Sequence, residues 1–304
     1  MKNLNIFKIK FLLIIPVIFS IQSESSNDFY GKINMSLAQI DEGYERETDT
    51  LNNASRIGFK SKFKISENLN FLVQVENEID PADGRADGDK IFKQRNTFIG
   101  ISGNFGKLFL GTHDTAFKKA QLKVDLFNDT QSDIKNILRG ENRMQDLVGY
   151  ESPEILKGVK VVLNNIKTSD KNYQSYSINY SSDSLKASYS IDTGLKGYDG
   201  NRLTGSYNFN KTTLGAIYQD SEKTVTSKKE SGYVYSVKQK ISEKGSLLFQ
   251  VAKSDMKVVG GKQTSFGYNH QVRKNLKVFT ALSFLSKDNA EDKDWLTAGF
   301  EYKF

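Results

Sequence analysis

Between residues 55 and 65 the apolar side chains of Ile57, Phe59, Phe63 and Ile65 alternate with Arg56, Lys60, Lys62 and Lys64. A period of two fits an extended strand with one oily face and one wet face, and fits no helix. The same period returns along the chain. In 29–39, Phe29, Ile33, Met35 and Leu37 lie opposite Lys32, Asn34 and Ser36, and in 69–79, Phe71, Val73 and Val75 lie opposite Gln74, Glu76 and Glu78. Further candidates follow at 93–102, 107–115, 144–152, 159–167, 173–181, 185–193, 202–209, 213–219, 232–241, 246–253, 265–272 and 276–286. The last runs from Trp295, with Leu296, Ala298, Phe300, Tyr302 and Phe304 on one face. That makes about sixteen strands, with no convincing 3.6-residue period and no Pro- or Gly-rich linker. One all-β unit is expected, with residues 41–52 and 80–89 as polar loops.

The amino-terminal stretch fits export. Lys2, Lys8 and Lys10 precede an apolar run over 11–21, and Ser20, Ser23, Ser25 and Ser26 follow. This is the pattern of a secretory leader, too short for a comfortable membrane helix. We expect a signal peptide over 1–23, cut between 20 and 26, and a single domain over 24–304. The chain of 304 residues has no cysteine, so it carries neither disulfides nor thiolate metal sites. A mean hydropathy of −0.51 looks water-soluble, but a barrel wall hides from averages because half of each strand faces water. The formal charge of +7 includes the three leader lysines and shows no basic cluster of the kind nucleic acid needs.

The connections alternate between tight and long. Residues 103–106, 210–211, 242–245 and 273–275 are tight turns, as expected of a barrel with short turns at one end. Tyrosines at 173, 176, 180, 189, 207, 218, 233, 235, 268 and 302 fall in strands, several near strand ends. Rings with a polar tip gather at a membrane–water boundary. One connection, 116–138, breaks the rhythm. It carries Leu122, Val124, Leu126, Phe127, Ile134, Ile137 and Leu138 together with Asp125, Asp129 and Asp133. A long loop with apolar anchors packs against something. Folded into a barrel, it would narrow the lumen.

Several segments then resemble one family in order. Asn53 to Lys60 (NASRIGFK) is similar to the second-strand motif of the trimeric general porins of Gram-negative bacteria. The block from Phe98 to Thr115 (FIGISGNFGKLFLGTHDT) resembles their fourth strand, turn and fifth strand. Asp125 to Asp129 (DLFND) resembles part of their third external loop, and Gly149 to Pro153 (GYESP) the strand after it. The closing strand resembles that of outer-membrane barrels, whose terminal aromatic is read by the assembly machinery, here Phe304 with Tyr302 and Phe300. The resemblance implies an all-β transmembrane antiparallel barrel of about sixteen strands with the third loop folded into the lumen. It implies a homotrimer among outer-membrane lipid and lipopolysaccharide, passing ions and small hydrophilic solutes by passive diffusion. Carried over by motif position, Arg56 and Lys60 belong to a basic pore wall and Asp125 and Asp129 to an acidic constriction loop; Lys62 extends the same cationic face, Arg95 and Arg143 lie close to matched segments and are counted with the wall, and Asp133 lies in the same loop. By parity with Thr97, Ile99 and Ile101, Arg95 would sit at the outer rim instead. Two family arginines are replaced, by Thr112 after Leu-Gly and by Gly149 before Tyr-Glu-Ser-Pro, which weakens an inferred anion preference.

Two other readings compete. An outer-membrane barrel hydrolase would use His113 beside Asp114 as base, but His270 is the only other histidine and no Gly-x-Ser-x-Gly nucleophile motif exists. A secreted β-sandwich adhesin would be water-soluble. No catalytic residue, cofactor or nucleic-acid partner is expected. Carboxylate pairs such as Glu76 with Glu78, or Asp87 with Asp89, point at most to loop Ca²⁺, and no protein-built metal site is expected.

Overall fold

Alternation of this kind leaves every strand with unpaired backbone groups on both sides until a neighbour takes them. In the computed structural model, which describes residues 25–169, 171–288 and 290–304, the neighbours close on themselves. The expected leader over 1–23 lies outside the described residues. Strand β1 is Ser25–Asp41, and β2 is Arg46–Asn52 resumed as Arg56–Ser66. Then come β3 (Leu69–Glu78), β4 (Lys93–Gln94 resumed as Thr97–Gly103) and β5 (Gly106–Asp114). After a long connection follow β6 (Arg143–Glu151), β7 (Val159–Lys167), β8 (Asn172–Ser181), β9 (Leu185–Leu195) and β10 (Tyr198–Phe209). The rest are β11 (Thr212–Lys223), β12 (Lys229–Lys240), β13 (Gly245–Ser254), β14 (Gly261–Arg273), β15 (Leu276–Ser286) and β16 (Lys293–Lys303).

Each strand pairs antiparallel with the next. β16 returns to β1 through the register Met35↔Phe300, Leu37↔Ala298 and Gln39↔Leu296. Phe304 completes the seam, exchanging two backbone hydrogen bonds with Gly31 at 2.9 and 3.1 Å. The result is a closed barrel of sixteen antiparallel strands with no free edge. The polar stretch expected as a loop over 41–52 is largely strand, because Arg46–Asn52 pairs with Met35–Asp41. Both faces there are polar, so no alternation marked it.

Burial is inverted relative to a soluble protein. Inward positions are polar and covered: Lys32, Asn34, Ser36, Ser175, Ser177, Ser188, Ser190, Thr204, Gln219, Gln250 and Gln263. Outward positions are apolar and bare: Leu37, Ile57, Val75, Ile99, Leu110, Val148, Leu203, Leu214 and Leu282. Around the end that carries the tight turns runs an exposed aromatic band including Phe63, Phe105, Tyr180, Tyr207, Phe209, Tyr302 and Phe304. Tyr173 does not join a girdle; it packs beside the cluster of Phe98, Phe109, Leu147 and Ile166. An apolar wall of this extent is stable against lipid and not against water.

Among the irregularities of the ladder, three lie beside the residues that meet the inserted loop. Between Ser36↔Leu51 and Lys32↔Arg56, β2 advances five residues while β1 advances four, and Ala54 takes φ 54°. In β4 the extra residue falls at Arg95–Asn96, between Asn77↔Gln94 and Gln74↔Phe98. In β6 it falls between Leu147 and Met144, opposite Gly111 and His113, with Asp146 at φ 52°. Each bulge flips the facing of the residues beyond it.

Leu203, in the middle of β10, is 57% exposed and points outward. Leu203→Arg should destabilise the barrel in lipid by about 2–4 kcal/mol if that face meets hydrocarbon. Urea unfolding in phospholipid vesicles measures it. An unchanged midpoint would mean that this face does not lie in a bilayer.

Candidate functional site: the lumen and its inserted loop

The connection between β5 and β6 turns into the barrel. Thr115 caps its first turn, helix α1 (Ala116–Lys119), by accepting from Lys118 N–H at 3.2 Å. The root is fixed to the wall by Ala116 N–H to Asn164 Oδ1 (2.6 Å) and Phe117 N–H to Ser175 Oγ (3.0 Å). Further along, Val124, Ile134, Ile137 and Leu138 enter an apolar bay formed by Ile217, Val234, Ala252, Met256, Leu285 and Trp295. Phe127 joins Leu248 and Ala281. Wall glycines make room: a Cβ on Gly232 would meet Leu138, and one on Gly267 would meet Phe127. Five of the apolar anchors that mark the loop in the sequence, Val124, Phe127, Ile134, Ile137 and Leu138, are therefore buried inside a polar-lined barrel, while Leu122 and Leu126 are half-buried.

The three loop aspartates do different work. Asp125 accepts from Phe127 N–H, Ile134 N–H and Gln250 Nε2, at 3.1, 3.2 and 3.1 Å. Burial and the nearby Asp133 charge push its carboxyl well above the usual carboxylate range. Asp133 accepts from Lys135 N–H (2.8 Å) and Asp129 N–H (3.0 Å), capping the short 3₁₀ turn Ile134–Asn136. Both are turned into the loop. Asp129, at φ 68°, projects to the wall and takes Lys32 Nζ and Arg56 Nη2 on one oxygen, each at 2.9 Å. Burial alone would raise the Asp129 carboxyl, but Lys32 and Arg56 outweigh it and hold it below the ordinary range.

The basic residues expected on the wall are divided. Arg56 meets the loop. Arg95 faces inward despite its parity with Thr97, because the bulge at Arg95–Asn96 resets the facing; it binds Glu76 (3.0 Å) and Glu78 (2.7 Å). That carboxylate pair is thus committed to a guanidinium. Arg143 bonds Asp114 at 3.0 Å and Asn96 Oδ1 at 3.0 Å at the base of the loop. Lys60 pairs with an exposed Asp28 at 3.5 Å, and Lys62 is exposed, both toward the tight-turn end and away from the loop. Of the two substituted positions, Gly149 leaves space filled by the Phe109 ring. Thr112 pairs with Thr97, next to the outward Leu110.

Two anchors escaped sequence reasoning. Lys32 reads as one more wet-face lysine. Arg202 is fully buried and donates to Glu141 Oε1 (2.9 Å), Arg139 O (2.9 Å) and Gln219 Oε1 (2.9 Å), while stacking 4.4 Å from the Phe117 ring. Its only signal is parity with Thr204.

Beside the loop remains a cavity of about 450 Å³. Its lining includes Arg56, Arg95, Lys118, Lys119, Lys123 and Lys186 against Asp114, Asp125 and Asp129. All three carboxylates are engaged: Asp114 by Lys118 (3.2 Å) and Arg143, Asp125 by the loop's own N–H groups, and Asp129 by the wall. The passage is cationic.

Residues 18–290 match the family model described as Gram-negative porin. The chain is 25% identical to outer membrane porin protein 32 of Delftia acidovorans, over 92% of this chain and 88% of that one. A match to major outer membrane protein P.IB of Neisseria sicca, 34% identical, spans 35% of this chain and 30% of that protein's length. Among solved structures, an anion-selective porin from Comamonas acidovorans superposes with a TM-score of 0.81 at 20% identity, covering 92% of this chain and all (100%) of the other.

Arg202→Ala strands Glu141 in a dry site and should cost about 3–5 kcal/mol locally. Its expected readout is excess open-channel current noise as the loop root loosens, and quiet current would refute the anchoring role. The Asp129 staple should behave as a depressed-pKa carboxylate. Its contribution is fully present above the unfolded value and is lost only as pH falls through the lower folded value. Loop noise should therefore stay flat from neutrality to about pH 4 and rise only below it. An onset near pH 6 would contradict this assignment.

Proposed function

This chain belongs to the Gram-negative porin family, and on that premise we propose that it is an outer-membrane channel whose inserted loop narrows a water-filled passage for ions and small hydrophilic solutes, with a preference for anions. The observation that carries the preference is the lining of the 450 Å³ passage, where every lining carboxylate is already engaged, Lys119 pairs with Glu151 at 2.5 Å, and Lys123 and Lys186 are left to face solvent-borne charge. Lined channels focus potential, and ring charge tunes which ions enter. In this reading Arg56 and Arg95 form the wall of the narrow part. Lys60 and Lys62 belong to the mouth at the tight-turn end, and Arg143 supports the loop root. Asp129 pins the loop to the wall, while Asp125 and Asp133 give the loop its shape.

The same reading includes export by a removable leader over 1–23, insertion among lipid and lipopolysaccharide, and assembly as a homotrimer. The assembly machinery would take the chain through Phe304, Tyr302 and Phe300. It includes no chemistry. His113, the one histidine next to an aspartate, is wedged between the rings of Phe98 and Phe109 at 5.3 and 4.6 Å, with Nδ1 on the Asp114 carbonyl (2.7 Å). Such a ring, 6% exposed, packs against its aromatic neighbours, with its Nδ1 taken by the backbone.

The test is a planar bilayer holding purified protein in a KCl gradient. We expect stepwise conductance that closes in threes and a reversal potential on the anion side. Lys123→Glu with Lys186→Glu should move the reversal potential toward cations, and Asp129→Asn should move it further toward anions. Silence at all voltages would overturn the channel. An unmoved reversal potential in the double variant would place those lysines outside the narrow part.

A further inference from the structure

A second cavity of about 180 Å³ lies at the long-loop end, above the root of the inserted loop. It is built by the β9–β10 turn, the connection after Ser254 and the returning limb of the inserted loop. Asp192, Arg139, Lys196, Lys257, Tyr198 and Asn142 line it. Asp192 stands at its wall side, 5% exposed, beside the Ser175 and Asn142 side chains, and among the described residues no hydrogen bond reaches its Oδ1. A buried carboxylate oxygen left unpaired is costly and calls for a donor. Opposite it, Arg139 lies flat on the Tyr198 ring at 4.0 Å, and its Nε is likewise without a partner. The nearest acid, Glu230, approaches Arg139 Nε only at 3.5 Å. Asp199, also on the rim, is taken by the Gly194 N–H at 2.7 Å. Lys257 and Lys196 complete a crowd of three cations; burial, with the charges of Arg139 and Lys196, lowers the Lys257 ammonium.

The site therefore sets a carboxylate oxygen without a hydrogen-bond partner in one cavity with a guanidinium held loosely by Glu230 and with two lysines, within a space suited to a small molecule. We propose that it binds a small α-amino acid, with the ammonium on Asp192 and the carboxylate on Arg139 and Lys257, held on the long-loop side before passage. A ligand of that class satisfies both ends at once. A plain carboxylate would leave Asp192 unpaired, and a plain amine would leave the cations uncompensated. The proposal rests on the channel reading, because the cavity is lined in part by the inserted connection, through Phe117, Arg139 and Asn142.

The test uses the full-length protein in detergent micelles, with L-alanine and acetate titrated by saturation-transfer NMR, and KCl conductance recorded on the same preparations. Alanine should bind about tenfold more tightly than acetate, the scale of one charge-assisted hydrogen bond. Asp192→Asn should bring alanine down to the level of acetate. Lys257→Ala, on a connection outside the strands, should weaken both probes several-fold. Equal binding of the two probes by the unaltered protein, no binding of either, or an alanine affinity untouched by both substitutions would overturn the site. Conductance reports the channel separately, so an open channel that ignores alanine removes the amino-acid site alone, and a silent one removes the reading beneath it.

Discussion

Backbone hydrogen bonding in hydrocarbon is the constraint on which the whole structure depends. Lipid offers no partner for an unpaired N–H or carbonyl, so a sheet that meets it must have no edge. The β16–β1 seam supplies this, down to the paired bonds between Gly31 and Phe304. Closure fixes the rest. Outward positions must be apolar, inward ones must be polar or covered, and the space enclosed by sixteen strands is too wide for wall side chains to fill. What fills part of it is the chain itself.

The loop that enters is held by two kinds of contact that do not compete. Its apolar side meets a bay of Ile217, Val234, Met256 and Trp295, where burial drives association as in any core. Its polar side is tied by a few directed bonds, Asp129 to Lys32 and Arg56, Leu126 N–H to Gln250, and Arg202 to Glu141 and the Arg139 carbonyl. Dispersion sets the side on which the loop lies, and the ion pairs set its depth. The bulges serve the same end. Arg56, Arg95 and Arg143 each sit within three residues of one, and for Arg95 the bulge brings an outward parity around to the lumen.

Fold and loop were legible in the sequence because period two and apolar anchors are local, repeated signals. The strand count follows from repeats such as Ile57, Phe59 and Phe63, and Val124, Phe127 and Ile134 mark a loop that packs against something, while its inward course is what the family resemblance implies. The site was less legible, since facing depends on accumulated register and one extra residue reverses it. Parity therefore put Arg95 on the wrong side. The aspartates were misleading for a different reason. An acidic residue in a loop reads as a free charge, but Asp125 and Asp133 are acceptors for backbone N–H groups that the loop creates only once folded. Lys32 and Arg202 carried no local signal beyond wet-face parity, because their partners lie 97 and 61 positions away.

The charge of the passage follows from that redistribution. At Gly149, one of the two places where the resemblance would put an arginine, a side chain is excluded by the Phe109 ring. Lys118 and Lys119 of the loop are held by Asp114 and Glu151, so the cations that line the gap without an acidic partner among the described residues are Lys123 from the loop and Lys186 across from it. Moving positive charge from wall to loop changes more than bookkeeping. Wall charges opposed by loop carboxylates make a transverse field that orders water and sorts solutes by dipole. Cations on both sides instead make a well of one sign, which sorts by net charge and weakens as salt rises, because exposed charges are screened within about 8 Å at physiological ionic strength. With the loop acids absorbed by backbone and wall, the proposed anion preference corresponds to the second kind of passage, in which selectivity depends on which carboxylates the fold leaves free.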